Sequence, residues 1–147
     1  MSLQNLLKIG QLDEHVTDKK QVGKLLVAAA RSIEDARQES ISLELRLTAA
    51  YGAIMQFSML ALWLNGYRPS KSAAGHHQTM IQSLVHTIDL DRDQMLLLDT
   101  FRVKRNAIDY TGEDIDASSV SACVEAAESL QGGLARWMAK NTPELLS

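Results

Sequence analysis

The segment from Leu43 to Leu64 constrains the fold more than any other part of the sequence. Apolar residues recur there at alternating spacings of four and three residues, which places them on one face of an α-helix. They are Leu43, Leu47, Ala50, Ile54, Phe57, Ala61 and Leu64. More apolar residues extend beyond that stripe, namely Tyr51, Met55, Met59, Leu62 and Trp63. A helix that is apolar over more than one face has to contact more than one neighbour, either inside a bundle or across a dimer interface.

The rest of the chain also has helical periodicity, and the segments are separated by typical start and stop residues. In chain order these are the stop at Gly10, the N-cap Asp18, the stop at Asn65-Gly66 and Pro69, the start at His76, the N-cap Asp91, and a cap at Ser118 or Ser119. No strand or hairpin signal stands between them. We therefore predict an all-α fold, a single up-and-down helical bundle of four to five main helices. Residues 1–17 would form an N-terminal extension with a short helix, and residues 18–147 the bundle.

Composition narrows the class of protein further. A chain of 147 residues that is 46% hydrophobic is long enough for one domain with a real core. The net charge of −3 does not favour nucleic-acid binding through bulk charge, although Arg102, Lys104 and Arg105 form a local basic group. The single Cys123 lies at a core-spaced position, which predicts a buried thiol in a reducing, cytoplasmic setting. We find no secretion signal and no apolar run near the roughly 18 residues of a membrane span, so no membrane association is expected.

The standard catalytic and metal-binding signatures are missing from the sequence. It has no Gly-rich phosphate loop, no CxxC and no HExxH motif. His76 and His77 are adjacent, and neighbouring helix positions point about 100° apart, so the two imidazoles are poor joint ligands for one ion. We therefore expect neither a metal site nor a cofactor.

Arg105 is the residue at which the sequence most directly indicates chemistry. It lies in an apolar helical stripe formed by Leu98, Phe101, Arg105 and Ile108. A guanidinium that is always charged is costly to bury without partners. One interpretation is that Arg105 lines a polar crevice, with Asn106 next to it and the Tyr110 hydroxyl about one turn further on. The other is a structural role, in which Arg105 complements the helix C-terminus or pairs with Asp109.

Short motifs in four places resemble the HEPN superfamily of small helical-bundle proteins. In chain order they are Ala50-Tyr-Gly-Ala53, Gly66-Tyr-Arg-Pro69, Gly75-His-His77 and Arg102-x-x-Arg105-Asn106-x-x-x-Tyr110. Their order and helical placement agree with that superfamily over about residues 20–140. Many HEPN proteins carry an arginine, a polar residue directly after it and a histidine further along, which together form a metal-independent ribonuclease site at a dimer interface. The resemblance therefore implies a homodimer whose site includes these motifs.

The resemblance also implies roles for individual residues. Arg105 and Asn106 match the first two catalytic elements, and Tyr110 stands where the ribonuclease pattern has histidine. Tyrosine, with an ordinary pKa near 10, can donate or orient a proton but is a poor general base. The implied ligand-binding residues are Tyr51, His76, His77 and Arg102.

Three functions are compatible with these observations. The first is a homodimeric module that binds a nucleotide or RNA phosphate, as do HEPN proteins that partner nucleotidyltransferases or form toxin–antitoxin pairs; the arginine fork suits phosphate oxygens. The second is a metal-independent endoribonuclease, in which Arg105 stabilises the phosphate charge, Asn106 orients the phosphate and Tyr110 donates to the leaving oxygen. In that case His76 or His77 would supply the base. The third is a structural or partner-binding bundle without a ligand.

Overall fold

Helices account for most of the structure, and the long apolar helix runs through their centre. The computed structural model describes residues 2–72 and 75–146. Its elements in chain order are α1 (Leu3–Lys8), β1 (Leu12–Glu14), α2 (Lys19–Ala36), α3 (Leu43–Leu64), β2 (Tyr67–Pro69), α4 (His76–Gln82), α5 (Leu84–Thr87), α6 (Arg92–Thr111) and α7 (Ala117–Asn141), with a 3-10 turn at Pro143–Leu145. The predicted all-α helical bundle is confirmed.

Helix α3 is buried on every side along much of its length. Ala53, Ile54 and Met55 are buried in succession, and so is the run from Leu60 to Leu62. Successive helix residues point about 100° apart, so such runs require neighbours all round the helix. Helices α2 and α7 supply the most extensive packing, and α4, α5, α6 and β2 cover the rest. The apolar circumference of α3 is thus used inside the bundle, and an interface with a second copy has to be sought on another face.

Helix α3 also meets a length and hydropathy criterion for a membrane span, contrary to the expectation that no segment would. It has 22 residues, and 56% of its most apolar stretch is buried inside the fold. A helix at the centre of a bundle has the same composition as a membrane span because both face apolar surroundings. Packing among the neighbouring helices therefore accounts for the apolar character of α3.

The helix boundaries agree with the capping residues except at α7. The Asp18 carboxylate accepts a hydrogen bond from the Gln21 amide at 2.8 Å and caps α2 as predicted. At α7 the N-cap is Asp116, which accepts from the Ser119 amide at 2.8 Å, so the prediction of Ser118 or Ser119 is wrong. A carboxylate at this position also complements the positive end of the helix dipole.

A short antiparallel ribbon is the main element that the sequence did not predict. Strands β1 and β2 pair with Asp13 opposite Arg68 and Glu14 opposite Tyr67. Each strand has three residues, too few to show the alternation from which a strand is recognised. Gly66, at φ +90°, turns the chain from the end of α3 into β2, a conformation that glycine adopts without steric cost. The ribbon attaches the N-terminal segment to the end of α3.

Candidate functional site

The predicted ligand-binding residues and Arg105 come together on one side of the bundle. We call this group the polar cluster; it consists of Tyr51 from α3, His76 and His77 from α4, and Arg102 and Arg105 from α6. The Tyr51 hydroxyl lies 3.3 Å from Nδ1 of His77, and the Arg105 guanidinium carbon lies 5.8 Å from the centre of the Tyr51 ring. The rings of His76 and His77 meet edge to face at 4.8 Å. Residues far apart in the sequence therefore share one site.

Tyr51 is the buried residue at the bottom of the polar cluster, with 3% of its surface exposed. Burial raises the pKa of Tyr51 to about 12, although the charges of Arg102 and Arg105 act in the opposite direction. The phenol therefore stays protonated near neutral pH. Its hydroxyl can donate to Nδ1 of His77, and Tyr51 is not available as a general base.

His77 is the group of the polar cluster whose protonation is most affected by its surroundings. Partial burial lowers the pKa of His77 below its usual 6.5, and the charges of His76, Arg105 and Arg102 lower it further. The imidazole is therefore neutral at pH 7. Either nitrogen of the neutral ring can carry the proton: with the proton on Nε2, Nδ1 accepts from the Tyr51 hydroxyl, and with the proton on Nδ1, that nitrogen donates to Tyr51 and Nε2 is a free acceptor.

Arg105 combines features of both interpretations of the sequence. Its Nη1 forms a salt bridge with Asp109 at 3.0 Å, as the structural interpretation predicts. Its guanidinium also packs over the face of Tyr51, which is a favourable cation–π geometry. Yet Nε of Arg105 is buried and has no hydrogen-bond partner among the described residues. A buried donor without a partner costs free energy, so Arg105 retains a binding capacity that the described residues do not satisfy.

Arg102 is more fully engaged with its own helix. Its Nε and Nη2 donate to the two carboxylate oxygens of Asp99 at 2.7 and 3.2 Å. The pair is mostly shielded from solvent, with 19% of the Arg102 side chain and 22% of the Asp99 side chain exposed. The sequence analysis did not identify Asp99 as part of the site. Asp99 stands three residues before Arg102 on the same helix, and this spacing is the sequence signal from which their ion pair could have been predicted.

Asn106 and Tyr110 do not join Arg105 in a compact trio within one chain. Tyr110 is 86% exposed and makes no hydrogen bond or ring contact with Arg105. The reason is geometric, because five residues along a helix correspond to a rotation of about 140°. Asn106 is partly buried, and its side-chain amide has no hydrogen-bond partner in residues 2–72 and 75–146. Next to Arg105 stand Tyr51 and His77 instead.

An apolar pocket of about 330 Å³ adjoins the polar cluster at His76. We call it the ribbon pocket; its principal lining residues are His15, Met59, Trp63, Arg68, Lys71 and His76. Trp63 is partly buried and packs against the core, and it also forms a wall of this pocket. The sequence analysis missed this pocket because its rim depends on the unpredicted pairing of β1 with β2.

Neither a metal-binding group nor a reactive cysteine is found among the described residues. In the part of the chain that the structure describes, no group of three or more His, Cys, Asp or Glu side chains could hold a metal ion. Cys123 is fully buried, as its position in the sequence predicts, and burial raises the pKa of its thiol to about 12. A thiol held in the neutral form and shielded from solvent is a core residue and not a nucleophile.

Comparisons of the chain with protein-family models, curated proteins and solved structures found no match. The resemblance to HEPN proteins therefore rests on the sequence motifs.

The pKa of His77 tests the geometry of the polar cluster. We expect Arg105→Ala to raise the pKa of His77, because a nearby positive charge is removed, but to leave it below 6.5, because burial is the larger cause. NMR titration of the imidazole resonances measures this shift. Arg92→Ala, an exposed arginine at the start of the same helix, is the control and should leave the His77 pKa unchanged. An unchanged His77 pKa in Arg105→Ala would contradict the described arrangement.

The same pKa shift gives a direction for the pH dependence of stability. The folded protein binds the His77 proton less readily than the unfolded chain does. The contribution of His77 to stability is therefore complete above about pH 6.5 and is lost as the pH falls through the folded-state pKa. Thermal melts at pH values from about 6.5 down to the folded-state pKa of His77 should show a smaller acid-induced loss of stability in His77→Gln than in the wild type.

Proposed function

We propose that the protein is a homodimeric, HEPN-like module that binds the phosphate group of a nucleotide or of RNA at the polar cluster. The observation that carries this proposal is the Arg105 guanidinium beside the Tyr51–His77 pair, whose side chain is 31% exposed and whose Nε has no hydrogen-bond partner among the described residues. A phosphate oxygen is an acceptor that fits this donor, and the planar guanidinium fork can bind a second oxygen at the same time.

The ion pair between Arg105 and Asp109 is compatible with an exchange of partners. The Asp109 side chain is 44% exposed, and pairs of this kind contribute little to stability because water solvates both ions. A phosphate on the Nε–Nη2 edge would leave the Asp109 pair on Nη1 in place, and a phosphate bound end-on by Nη1 and Nη2 would replace Asp109 at low cost. Nε2 of the neutral His77, when it carries the ring proton, and the free amide of Asn106 are additional donors on this side of α6.

Dimerisation is part of the proposal because α6 has an exposed apolar stripe. The stripe recurs at spacings of four and three residues and comprises Leu96, Thr100, Val103, Ala107 and Tyr110. Leu96, Val103 and Tyr110 are 48%, 56% and 86% exposed. This is the pattern by which one helix pairs with another, and it lies away from the buried face that carries Leu98 and Phe101. Pairing of two copies along α6 would also cover Tyr110.

A metal-independent endoribonuclease is the second candidate, and the state of His77 favours it. The mechanism needs a base near Arg105, and neutral His77 can accept a proton at Nε2 in the tautomer whose Nδ1–H donates to the Tyr51 hydroxyl. Arg105 would stabilise the charge that develops on the phosphate, and Tyr110 of the partner subunit would donate to the leaving oxygen, because Tyr110 of the same chain points away from Arg105. The HEPN resemblance supports both candidates. It also suggests a cytoplasmic nucleotidyltransferase or antitoxin as a partner protein.

Removing the Arg105 guanidinium tests phosphate binding directly. We expect Arg105→Ala to weaken binding of a nucleoside monophosphate or a short RNA by at least about tenfold, since a charged hydrogen bond contributes about 1.5–3 kcal/mol. Arg105→Lys keeps the charge but not the planar fork, so its affinity for the ligand should lie between those of Arg105→Ala and the wild type. Isothermal titration calorimetry measures both. Arg31→Ala, an exposed arginine on α2, is the matched control. Equal affinities of Arg105→Ala and Arg31→Ala would refute the proposal.

Incubation of the wild type with labelled RNA, with and without EDTA, separates the two candidates. Cleavage that resists EDTA and is abolished in both Arg105→Ala and His77→Ala would establish the ribonuclease. If RNAs of varied sequence are bound but stay intact, the protein is a binding module and not a ribonuclease. If RNA is neither bound nor cut and no nucleoside monophosphate is bound, the structural bundle without a ligand is correct.

Light scattering coupled to size-exclusion chromatography tests the dimer. We expect the wild type to elute as a dimer and Val103→Asp to elute as a monomer, because a buried, unpaired carboxylate at the centre of the stripe is costly. Val27→Asp is a close control, since Val27 on α2 is 58% exposed and lies outside the stripe. A monomeric wild type at micromolar concentration, or a dimeric Val103→Asp, would exclude this interface.

A further inference from the structure

The ribbon pocket has an aromatic wall that the phosphate-binding proposal does not use. The imidazole of His15 stacks on the indole of Trp63, with ring centres 5.0 Å apart and planes inclined by 29°. Nε2 of His15 lies 3.2 Å from Oε1 of Gln21, which helps to fix the ring. Met59 is one helical turn before Trp63 on α3, so both side chains face the pocket. The wall is therefore flat, aromatic and held in place.

Positively charged and neutral donor groups surround this wall. Arg68 lies on β2 and is 4.0 Å from the Asp13 carboxylate, a distance that leaves most of its donors free. Lys71 is exposed, and no salt bridge occupies it among the residues that the structure describes. His76 completes the rim. A flat apolar wall with a basic rim suits a planar, uncharged group that is attached to an anion.

The ribbon pocket and the polar cluster adjoin each other at His76. His76 lines the ribbon pocket, and its ring contacts His77 of the polar cluster. His77 in turn reaches Tyr51, on whose ring Arg105 packs. One ligand could therefore have its planar part in the ribbon pocket and its anionic part at Arg105.

We infer that the ribbon pocket binds the base of a nucleotide against the aromatic wall that His15 and Trp63 form together. This inference rests on the proposed function, because it assigns the base of the ligand whose phosphate Arg105 holds. Every base has a π-face that can stack on an aromatic side chain. The volume of about 330 Å³ lies in the range of small-molecule sites, which are mostly apolar with a few polar groups. The same chemistry would be offered by a free nucleotide or by one unit of a single-stranded RNA.

Trp63 provides its own spectroscopic reporter. The chain has two tryptophans, so Trp63 is the sole one in a Trp137→Phe background. That protein is titrated with the four ribonucleosides, their monophosphates, inorganic phosphate and a short single-stranded RNA of mixed sequence. We expect at least one nucleoside and its monophosphate to quench Trp63 fluorescence, and inorganic phosphate to leave it unchanged. If RNA alone quenches Trp63, the base comes from RNA and not from a free nucleotide.

Charge reversal at the rim shows which side of Trp63 is occupied. We expect Lys71→Glu to weaken the quenching by a monophosphate several-fold. Lys24→Glu is the matched control, because Lys24 is equally exposed and lines a separate groove on α2 that also borders His15 and Trp63. If Lys24→Glu alone weakens quenching, the base occupies that groove and the inference is wrong. Both lysines are exposed, so neither variant should affect folding.

The outcomes separate this inference from the proposed function. If calorimetry shows monophosphate binding that needs Arg105 but Trp63 is not quenched, the phosphate site stands and the base pocket is overturned. If nucleosides quench Trp63 but Arg105→Ala leaves the monophosphate affinity unchanged, the base pocket stands and the phosphate site fails. If no nucleoside, monophosphate or RNA quenches Trp63, the inference is refuted.

Discussion

Burial of α3 on all sides is the constraint on which the rest of the structure depends. A helix of 22 residues that exposes little of its circumference needs several neighbours, and the bundle supplies them with α2, α7 and the shorter elements. Tyr51 belongs to this buried helix, so its phenol is fixed by the core and not by a loop. The Tyr51 side of the candidate site is therefore built on the central buried helix, which favours a preformed geometry.

The electrostatics of the polar cluster reflect a balance between charge and burial. Arg102 and Arg105 each have a carboxylate partner on α6, in Asp99 and Asp109. The two pairs differ in exposure, since the Asp99 side chain is 22% exposed and the Asp109 side chain 44%. Arg102 is thus held as a fixed charge, while Arg105 is more easily available to an external anion. Partial burial, followed by the charges of His76, Arg105 and Arg102, lowers the pKa of His77 and keeps it neutral at pH 7.

The ribbon gives this bundle a feature that a plain set of helices lacks. Pairing of β1 with β2 brings His15 from the N-terminal segment onto Trp63 at the end of α3. A pocket is thereby formed beside the polar cluster, with His76 as the shared wall. The proposed nucleotide binding would use both sites, the aromatic one for the base and the cationic one for the phosphate.

The sequence by itself determined the all-α class, the extent of α3 and the start of α2, because helical periodicity and capping depend on neighbouring residues. It also identified Arg105 as unusual, since a charge in an apolar stripe is visible without coordinates. Only the tertiary structure decided that Tyr51 and His77, and not Tyr110, stand beside Arg105. It alone placed His15 on Trp63. These contacts join residues from separate elements, and their distances follow from packing, which local patterns do not record.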